Sequence, residues 1–196
     1  MKEKYYPYKL EGYYTDYIWG GDKLKKYWNK NTPQPIIAES WEFSLYLDKE
    51  STIINGALKG KNLRELFSEN PEIFGSNLCS FKDFPLLIKL IDATKDLSVQ
   101  VHPSDDYAIK YENQFGKTEM WYIADAEADA SIYFGLKQSV SKEELARRIE
   151  DNTIEQLLNE VKVQAGDCFF IESGTLHAIK AGVTVIEIQQ NSNLTY

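Results

Sequence analysis

The chain has 196 residues, of which 43% are hydrophobic, and it carries a formal net charge of −8 at pH 7. A chain of this length can bury a sizeable core, and it fits one domain better than two. Because phosphate backbones require a clustered basic face, the acidic balance argues against nucleic acid as a partner. The densest basic group, Lys23, Lys25 and Lys26, is interpreted as a solvated loop.

Cysteine usage and hydropathy indicate the cellular compartment in which the protein is expected. Cys79 and Cys168 are far apart in the sequence and form no Cys-x-x-Cys motif, and the first eight residues show no signal-peptide pattern. The longest apolar stretches fall far short of the roughly 20 residues of a membrane-spanning helix. We therefore expect a reduced, cytoplasmic protein with no membrane partner.

Short segments rich in aromatic and β-branched residues, each bounded by turn formers, predict β-strands. In chain order they are residues 37–47, 86–101, 120–124, 131–134, 167–171 and 183–189. Several short strands at this spacing are typical of a sandwich or barrel. The fold class expected is therefore mainly β, in one domain over residues 1–196.

Two helical inserts, near residues 61–75 and 141–160, interrupt this β pattern. In the first, residues 62–70 follow a Gly-Lys turn and end before Pro71. In the second, Ser141 and Glu144 form the pattern of a capping box that opens a helix, and a further helix is predicted over residues 153–159.

Both histidines of the chain lie in short motifs bounded by glycine or proline. His102 ends Leu97-Ser-Val-Gln-Val-His-Pro103, and His177 lies in Gly174-Thr-Leu-His-Ala178. Imidazole is the commonest protein ligand for zinc and related divalent ions. The alternative is that each is an ordinary core or surface histidine.

Strand alternation places Ser98, Gln100 and His102 on one face. Inside a β-barrel this polar row would cost about 1–3 kcal/mol for each group without a partner. A bound ion and a polar ligand would supply those partners.

The motif Gly116-Lys-Thr-Glu-Met-Trp-Tyr122 places Lys117, Glu119 and Trp121 on a common face. Its alternative interpretation is a surface Lys/Glu pair before an edge strand. Two imidazoles, a carboxylate and the amide oxygen of Gln100 would suit Zn²⁺ and leave a position open for water or substrate.

These motifs, in this order, resemble those of type I mannose-6-phosphate isomerases, zinc enzymes of the cupin superfamily. The resemblance covers almost the whole chain and is carried by Gly20-Gly21, Glu39-Ser-Trp-Glu-Phe-Ser44, Pro85-Leu-Leu-Ile-Lys-Leu-Ile-Asp92, Leu97 to Pro103, Gly116 to Tyr122, Gly166 to Ala178 and Glu187-Ile-Gln-Gln-Asn-Ser192.

The resemblance implies a cupin jelly roll in which zinc is bound by Gln100, His102, Glu119 and His177. It also implies that a hexose phosphate is contacted by Ser98 and Lys117. The implied reaction interconverts mannose 6-phosphate and fructose 6-phosphate through an enediol-type proton transfer.

Glu187 and Lys117 are the catalytic candidates, with Glu187 as acid/base or positioning group. The alternative for Glu187 is a structural carboxylate that faces solvent.

Members of the family continue beyond the position of Tyr196, and an active-site arginine is the expected next residue. The resemblance thus implies that the family's C-terminal region is absent, and that apolar surface left uncovered could drive homo-oligomer formation.

Two other functions stay open: a module that binds metal and sugar phosphate without turnover, and a different metal cupin, such as an iron dioxygenase.

Aromatic residues crowd the first twenty positions. We interpret most of them as packing groups, because tyrosine and tryptophan bury large areas while keeping a polar tip at the surface. The alternative is stacking on a sugar ring, with Trp19 near the mouth of the site. The set is Tyr5, Tyr6, Tyr8, Tyr13, Tyr14, Tyr17 and Trp19.

Overall fold

The structure, a computed structural model, describes residues 6–78, 81 and 83–196, so Tyr5 and Cys79 lie outside the described residues. Its strands are β1 (Leu10–Glu11), β2 (Tyr13–Thr15), β3 (Glu39–Phe43), β4 (Thr52–Ile53), β5 (Leu86–Ala93), β6 (Glu119–Ala126), β7 (Ser131–Leu136), β8 (Leu158–Lys162), β9 (Cys168–Ile171), β10 (His177–Ile179) and β11 (Val183–Gln190). Its α-helices are α1 (Lys23–Trp28), α2 (Leu63–Glu69), α3 (Asp105–Tyr111) and α4 (Lys142–Glu150), and 3₁₀ turns cover Pro71–Phe74, Ser76–Leu78 and Ile154–Leu157.

The strands form two main sheets and a short ribbon. The larger sheet has the order β2-β3-β5-β11-β6-β9, the smaller has the order β10-β7-β8, and β1 pairs with β4. Neighbouring strands are antiparallel throughout these sheets. The long central strands β5, β11 and β6 therefore provide the scaffold on which the other described elements are placed.

The two main sheets share one hydrophobic core. Trp121 and Ile123 of the larger sheet and Ile132 and Ile179 of the smaller sheet belong to the same buried cluster, and each is at most 1% exposed. This packing of one sheet against the other makes the fold a mainly β sandwich, as predicted.

Both helical inserts begin at a side-chain cap, of which the sequence predicted only the one at Ser141. The Asn62 side chain accepts a hydrogen bond from the Glu65 N–H and begins α2, and the Ser141 hydroxyl accepts one from the Glu144 N–H and begins α4. Helix α2 buries Leu66 and packs in a second apolar cluster beside the sandwich. Among the described residues, no helix combines the length and apolarity needed to span a bilayer.

Three predictions of local structure are wrong, each because tertiary contacts decide the outcome. The helix predicted over residues 153–159 is a 3₁₀ turn that gives way to β8, where Leu158 is buried and the strand pairs with β7. The basic group interpreted as a loop lies in α1, which is held to the sheet by the fully buried Leu24.

The third wrong prediction is the single strand over residues 86–101. Strand β5 ends at Ala93, and the chain then leaves the larger sheet. It continues as an extended segment whose Leu97 and Gln100 N–H groups donate to backbone carbonyls of β10. Because the segment forms hydrogen bonds with β10 and no longer with the larger sheet, it brings the His102 motif to the smaller sheet.

Replacing Ile132 with alanine tests the shared core. Ile132 is fully buried, so Ile132→Ala should lower the free energy of unfolding by about 2–5 kcal/mol, because a cavity adds to the lost apolar burial. Urea denaturation measures the change, with Ile18→Ala as control because Ile18 is 84% exposed. Equal stability of the two variants would contradict a core between the sheets.

Candidate metal centre

Three elements that are distant in the sequence bring His102, Glu119 and His177 together. His102 ends the extended segment that follows β5, Glu119 opens β6, and His177 opens β10. Two backbone hydrogen bonds join Gln100 and His177: the N–H of each donates to the carbonyl of the other, and both N···O distances are 3.0 Å. The turn before His177 is tied down by the Gly174 N–H, which donates to the His102 carbonyl.

The three side chains converge through their ring nitrogens and carboxylate oxygens. The two histidine Nε2 atoms are 3.2 Å apart, and Glu119 Oε2 and Oε1 lie 3.4 Å and 3.3 Å from those of His102 and His177. One ligand atom from each residue lies within 4.8 Å of the others, and none of the three residues is more than 2% exposed. The predicted His/Glu/His set thus forms a single buried cluster.

Backbone carbonyls determine which ring nitrogens carry hydrogen. His102 Nδ1 is 2.9 Å from the Leu194 carbonyl, and His177 Nδ1 is 2.8 Å from the Thr175 carbonyl. Since a carbonyl oxygen only accepts, each Nδ1 donates its hydrogen there, and Nε2 of the neutral ring holds a lone pair.

The two Nε2 lone pairs therefore face each other in a buried space. Neither Glu119 oxygen accepts a hydrogen bond from the described residues, although Lys117 Nζ forms an ion pair with Oε2 at 3.0 Å. Three electron-rich groups this close repel one another unless a cation lies between them. Two imidazole nitrogens and a carboxylate are a donor set that fits Zn²⁺.

The charge states of the cluster favour a cation. Burial is the largest influence on His177 and, despite the opposing Glu119 carboxylate, lowers its pKa to about 4. Burial acts to raise the pKa of Glu119, but the charge of the adjacent Lys117 ammonium outweighs it and holds that pKa below its usual range. At neutral pH Glu119 and His177 are deprotonated, the state that binds metal.

Lys117 contacts the cluster from the side of a cavity. Its Nζ is 3.1 Å from His102 Nε2, and the residue is only 5% exposed. The interpretation of Lys117 and Glu119 as a surface pair is therefore wrong. The Trp121 ring lies 5.4 Å from the His177 ring, so all three residues of the alternating set reach the same site.

A cavity of about 190 Å³ lies beside the cluster. Of the residues singled out in the sequence, Ser98, Gln100, Lys117 and Glu187 line it, and the Ser98 residue is exposed. The full lining is Tyr17, Trp19, Glu39, Lys89, Ile91, Leu97, Ser98, Gln100, Lys117, Ile179, Glu187, Asn193 and Thr195.

Glu187 points into the protein interior. It is 4% exposed, and its Oε2 accepts a hydrogen bond from Trp121 Nε1 at 2.9 Å. The alternative of a solvent-facing carboxylate is therefore wrong. The residue presents a fixed carboxylate to the cavity wall.

Sequence reasoning assigned no role to Lys89 and Glu39, which also line the cavity. Lys89 Nζ is 3.4 Å from Glu187 Oε1, 3.8 Å from Glu39 Oε2 and 4.6 Å from the centre of the Trp41 ring. Burial lowers the pKa of Lys89, but the two carboxylates outweigh it and raise that pKa, so the amine is charged. The sequence signal that could have identified Lys89 is a single lysine on the core-facing side of the otherwise apolar strand β5.

The N-terminal aromatic residues divide between the two interpretations. Tyr8 and Tyr14 pack against apolar clusters, as predicted. Tyr17 and Trp19 stack on each other with ring centres 5.6 Å apart, and both line the cavity. Trp19 also packs against the main core, so it serves both purposes.

The pH dependence of stability should reveal the buried neutral imidazole. An unperturbed histidine titrates near pH 6.5, whereas His177 in the folded protein stays neutral down to about pH 4. As pH falls through this window, the unfolded chain gains a proton that the folded chain does not. The free energy of unfolding therefore falls, by up to about 1.4 kcal/mol per pH unit.

His177→Gln lacks this contribution, so its stability should fall less steeply than that of the wild type across the same window. Urea denaturation of both metal-free proteins measures the two slopes. Identical slopes would show that His177 accepts a proton in the folded state as readily as in the unfolded state.

Residues 8–128 match the sequence profile of the family described as phosphomannose isomerase type I, catalytic domain. The chain is 45% identical over 192 residues to the probable mannose-6-phosphate isomerase GmuF of Bacillus subtilis (strain 168), covering 97% of this chain and 60% of that protein. It is 42% identical over 179 residues to the mannose-6-phosphate isomerase of Streptococcus mutans serotype c, covering 91% of this chain and 56% of that protein.

The fold agrees with these matches. The crystal structure of the mannose 6-phosphate isomerase from Bacillus subtilis superimposes with a TM-score of 0.91 at 41% identity, covering 97% of this chain and 60% of that one. The chain thus spans about 60% of the length of such relatives. It belongs to the type I phosphomannose isomerase catalytic-domain family.

Proposed function

We propose that this chain carries out zinc-dependent interconversion of mannose 6-phosphate and fructose 6-phosphate. One observation carries the proposal: two imidazole lone pairs and a carboxylate converge in a buried space beside a cavity lined with charged groups. Membership of the phosphomannose isomerase family supports the substrate and the reaction class.

His102, Glu119 and His177 would hold the zinc, and Gln100 is the fourth proposed ligand because it lines the cavity beside them. When bound, zinc supplies Lewis-acid polarisation of carbonyl or hydroxyl oxygens.

A pair of histidines with one carboxylate also suits iron in non-haem oxygenases, which is the second candidate function. Metal analysis separates the two, since exclusive binding of iron would favour an oxygenase.

The reaction moves a proton between C1 and C2 of the sugar, and we propose an enediol-type intermediate. This transfer requires a base beside the cavity. Glu187 provides a carboxylate there, oriented by the Trp121 N–H and paired with the Lys89 ammonium. We propose that Glu187 takes up and returns this proton or positions the reacting carbons for it.

The phosphate group requires positive charge in a chain that is acidic overall. Lys89 and Lys117 bring two buried amines to the cavity wall, and Ser98 adds a hydroxyl donor at its exposed edge. Lys117 is the proposed phosphate contact, because its amine already lies between the cluster and the cavity. A single lone pair on His102 Nε2 cannot serve Lys117 and a metal at once, so metal binding would direct the amine into the cavity.

We also propose that the described strands form one cupin-type domain with inserts at α2 and α4, in a cytoplasmic protein. The relatives are longer than this chain. A module that binds zinc and sugar phosphate without turnover is therefore an explicit outcome of the test.

An isomerase assay on zinc-loaded protein tests the proposal. We expect conversion of mannose 6-phosphate that is lost on chelation and restored by zinc. Glu119→Gln, which removes the anionic ligand, should lose at least 10-fold in zinc affinity, because catalytic zinc sites rely on such ligands. Tight binding of zinc and phosphosugar with no turnover would contradict the isomerase and support the binding module.

Lys117→Met separates metal binding from substrate binding. The substitution removes a positive charge beside the ligands, so zinc affinity should be equal to or higher than that of the wild type. It also removes a charged hydrogen bond to phosphate, worth about 1.5–3 kcal/mol, so KM for mannose 6-phosphate should rise roughly 10- to 100-fold. Lys26→Met, at an exposed lysine outside the cavity, is the control. Weaker zinc binding, with an unchanged KM at saturating zinc, would place Lys117 in the metal site instead.

A further inference from the structure

The segment of residues 191–196 runs alongside the metal centre after β11 ends. Within it, the Tyr196 carbonyl accepts a hydrogen bond from the Val101 N–H at 3.0 Å, and the Tyr196 N–H donates to the Val101 carbonyl at 3.1 Å. Asn193 and Thr195 line the cavity, while the Leu194 carbonyl between them accepts the His102 Nδ1–H. The same short segment therefore contacts the cavity and a candidate ligand.

A buried glutamine anchors this segment. Gln189 is 1% exposed, and its Nε2 donates to the Ser192 carbonyl at 2.7 Å and to the Gln190 carbonyl at 2.8 Å. Ser192 is itself fully buried, and its hydroxyl accepts the Leu194 N–H at 3.3 Å. Polar contacts thus connect Gln189, through Ser192, to Leu194, the residue whose carbonyl accepts the His102 Nδ1–H.

The location of Gln189 agrees with a role at the metal centre. It lies on β11 directly opposite Glu119 on β6, so one strand pair places a ligand and an anchor side by side. A buried amide is costly unless it is hydrogen-bonded, and an apolar residue would fill the same space without that cost. The two carbonyl contacts that Gln189 makes are those that shape the turn into the segment.

We propose that Gln189 is a positioning residue for the metal centre, acting through Ser192 and the Leu194 carbonyl to fix the tautomer and orientation of His102. The inference rests on the proposed metal site and adds a determinant that none of the ligands supplies. Groups that orient a metal-binding histidine typically change metal affinity by about 10- to 100-fold when they are removed. His177, held by the Thr175 carbonyl, does not depend on Gln189.

The test uses Gln189→Met, which keeps the side-chain length but cannot donate. Long-range ¹H–¹⁵N NMR spectra of the metal-free protein report the tautomer of each ring, and the chain has only two histidines. In the wild type both rings should be Nδ1–H tautomers. In Gln189→Met, His102 should become a mixture of tautomers while His177 is unchanged, and the dissociation constant for zinc should rise about 10- to 100-fold.

Two further variants distinguish a specific effect on His102 from general destabilisation of the fold. Ser192→Ala keeps Gln189 but removes the acceptor for the Leu194 N–H, and it should change His102 in the same direction by less. Asn159→Ala removes an amide that donates to the Phe134 carbonyl in the smaller sheet and should change neither ring.

An unchanged His102 tautomer and unchanged zinc affinity in Gln189→Met would overturn the inference while leaving the metal site intact. A wild-type protein that fails to bind zinc would overturn the inference and the proposed metal site together. Equal perturbation of His102 and His177 would also overturn it, because that result indicates general loosening.

Discussion

The structure depends on one electrostatic constraint: two imidazole lone pairs and a carboxylate converge in a buried space. Fixed backbone carbonyls enforce it, because Leu194 and Thr175 accept the Nδ1 hydrogens, so the lone pair of each neutral ring lies on Nε2. A protein interior tolerates such a cluster only if a cation compensates it. Lys117 compensates part of it from the cavity side, and a divalent metal ion would compensate it fully.

The same sheet face that builds the core also builds the cavity. Across neighbouring strands, Trp41, Lys89, Glu187 and Trp121 stand opposite one another in a continuous row. The two charged residues pair at the centre, and the indole N–H of Trp121 donates to Glu187 Oε2. Rigid packing of the aromatic groups thus fixes the position of the charges that would meet a substrate, which is the preorganisation that catalysis requires.

The candidate ligand set was predictable from the sequence because side-chain chemistry and strand alternation leave a local signature. His102, Glu119 and His177 could each be recognised in this way, and the structure brings them together. The Leu194 carbonyl could not be predicted, since every residue has a carbonyl and only the tertiary path of the chain selects this one. Helix α1 was missed for a similar reason: its six residues are held by the burial of Leu24 rather than by a local pattern.

Anomalous scattering at the zinc absorption edge, from crystals grown with zinc, would locate a zinc ion held by His102, Glu119 and His177. We expect a single strong peak flanked by the Nε2 atoms of His102 and His177 and by the Glu119 carboxylate, with Lys117 turned toward the cavity. A peak elsewhere, or no peak at this cluster in a zinc-saturated crystal, would contradict this expectation.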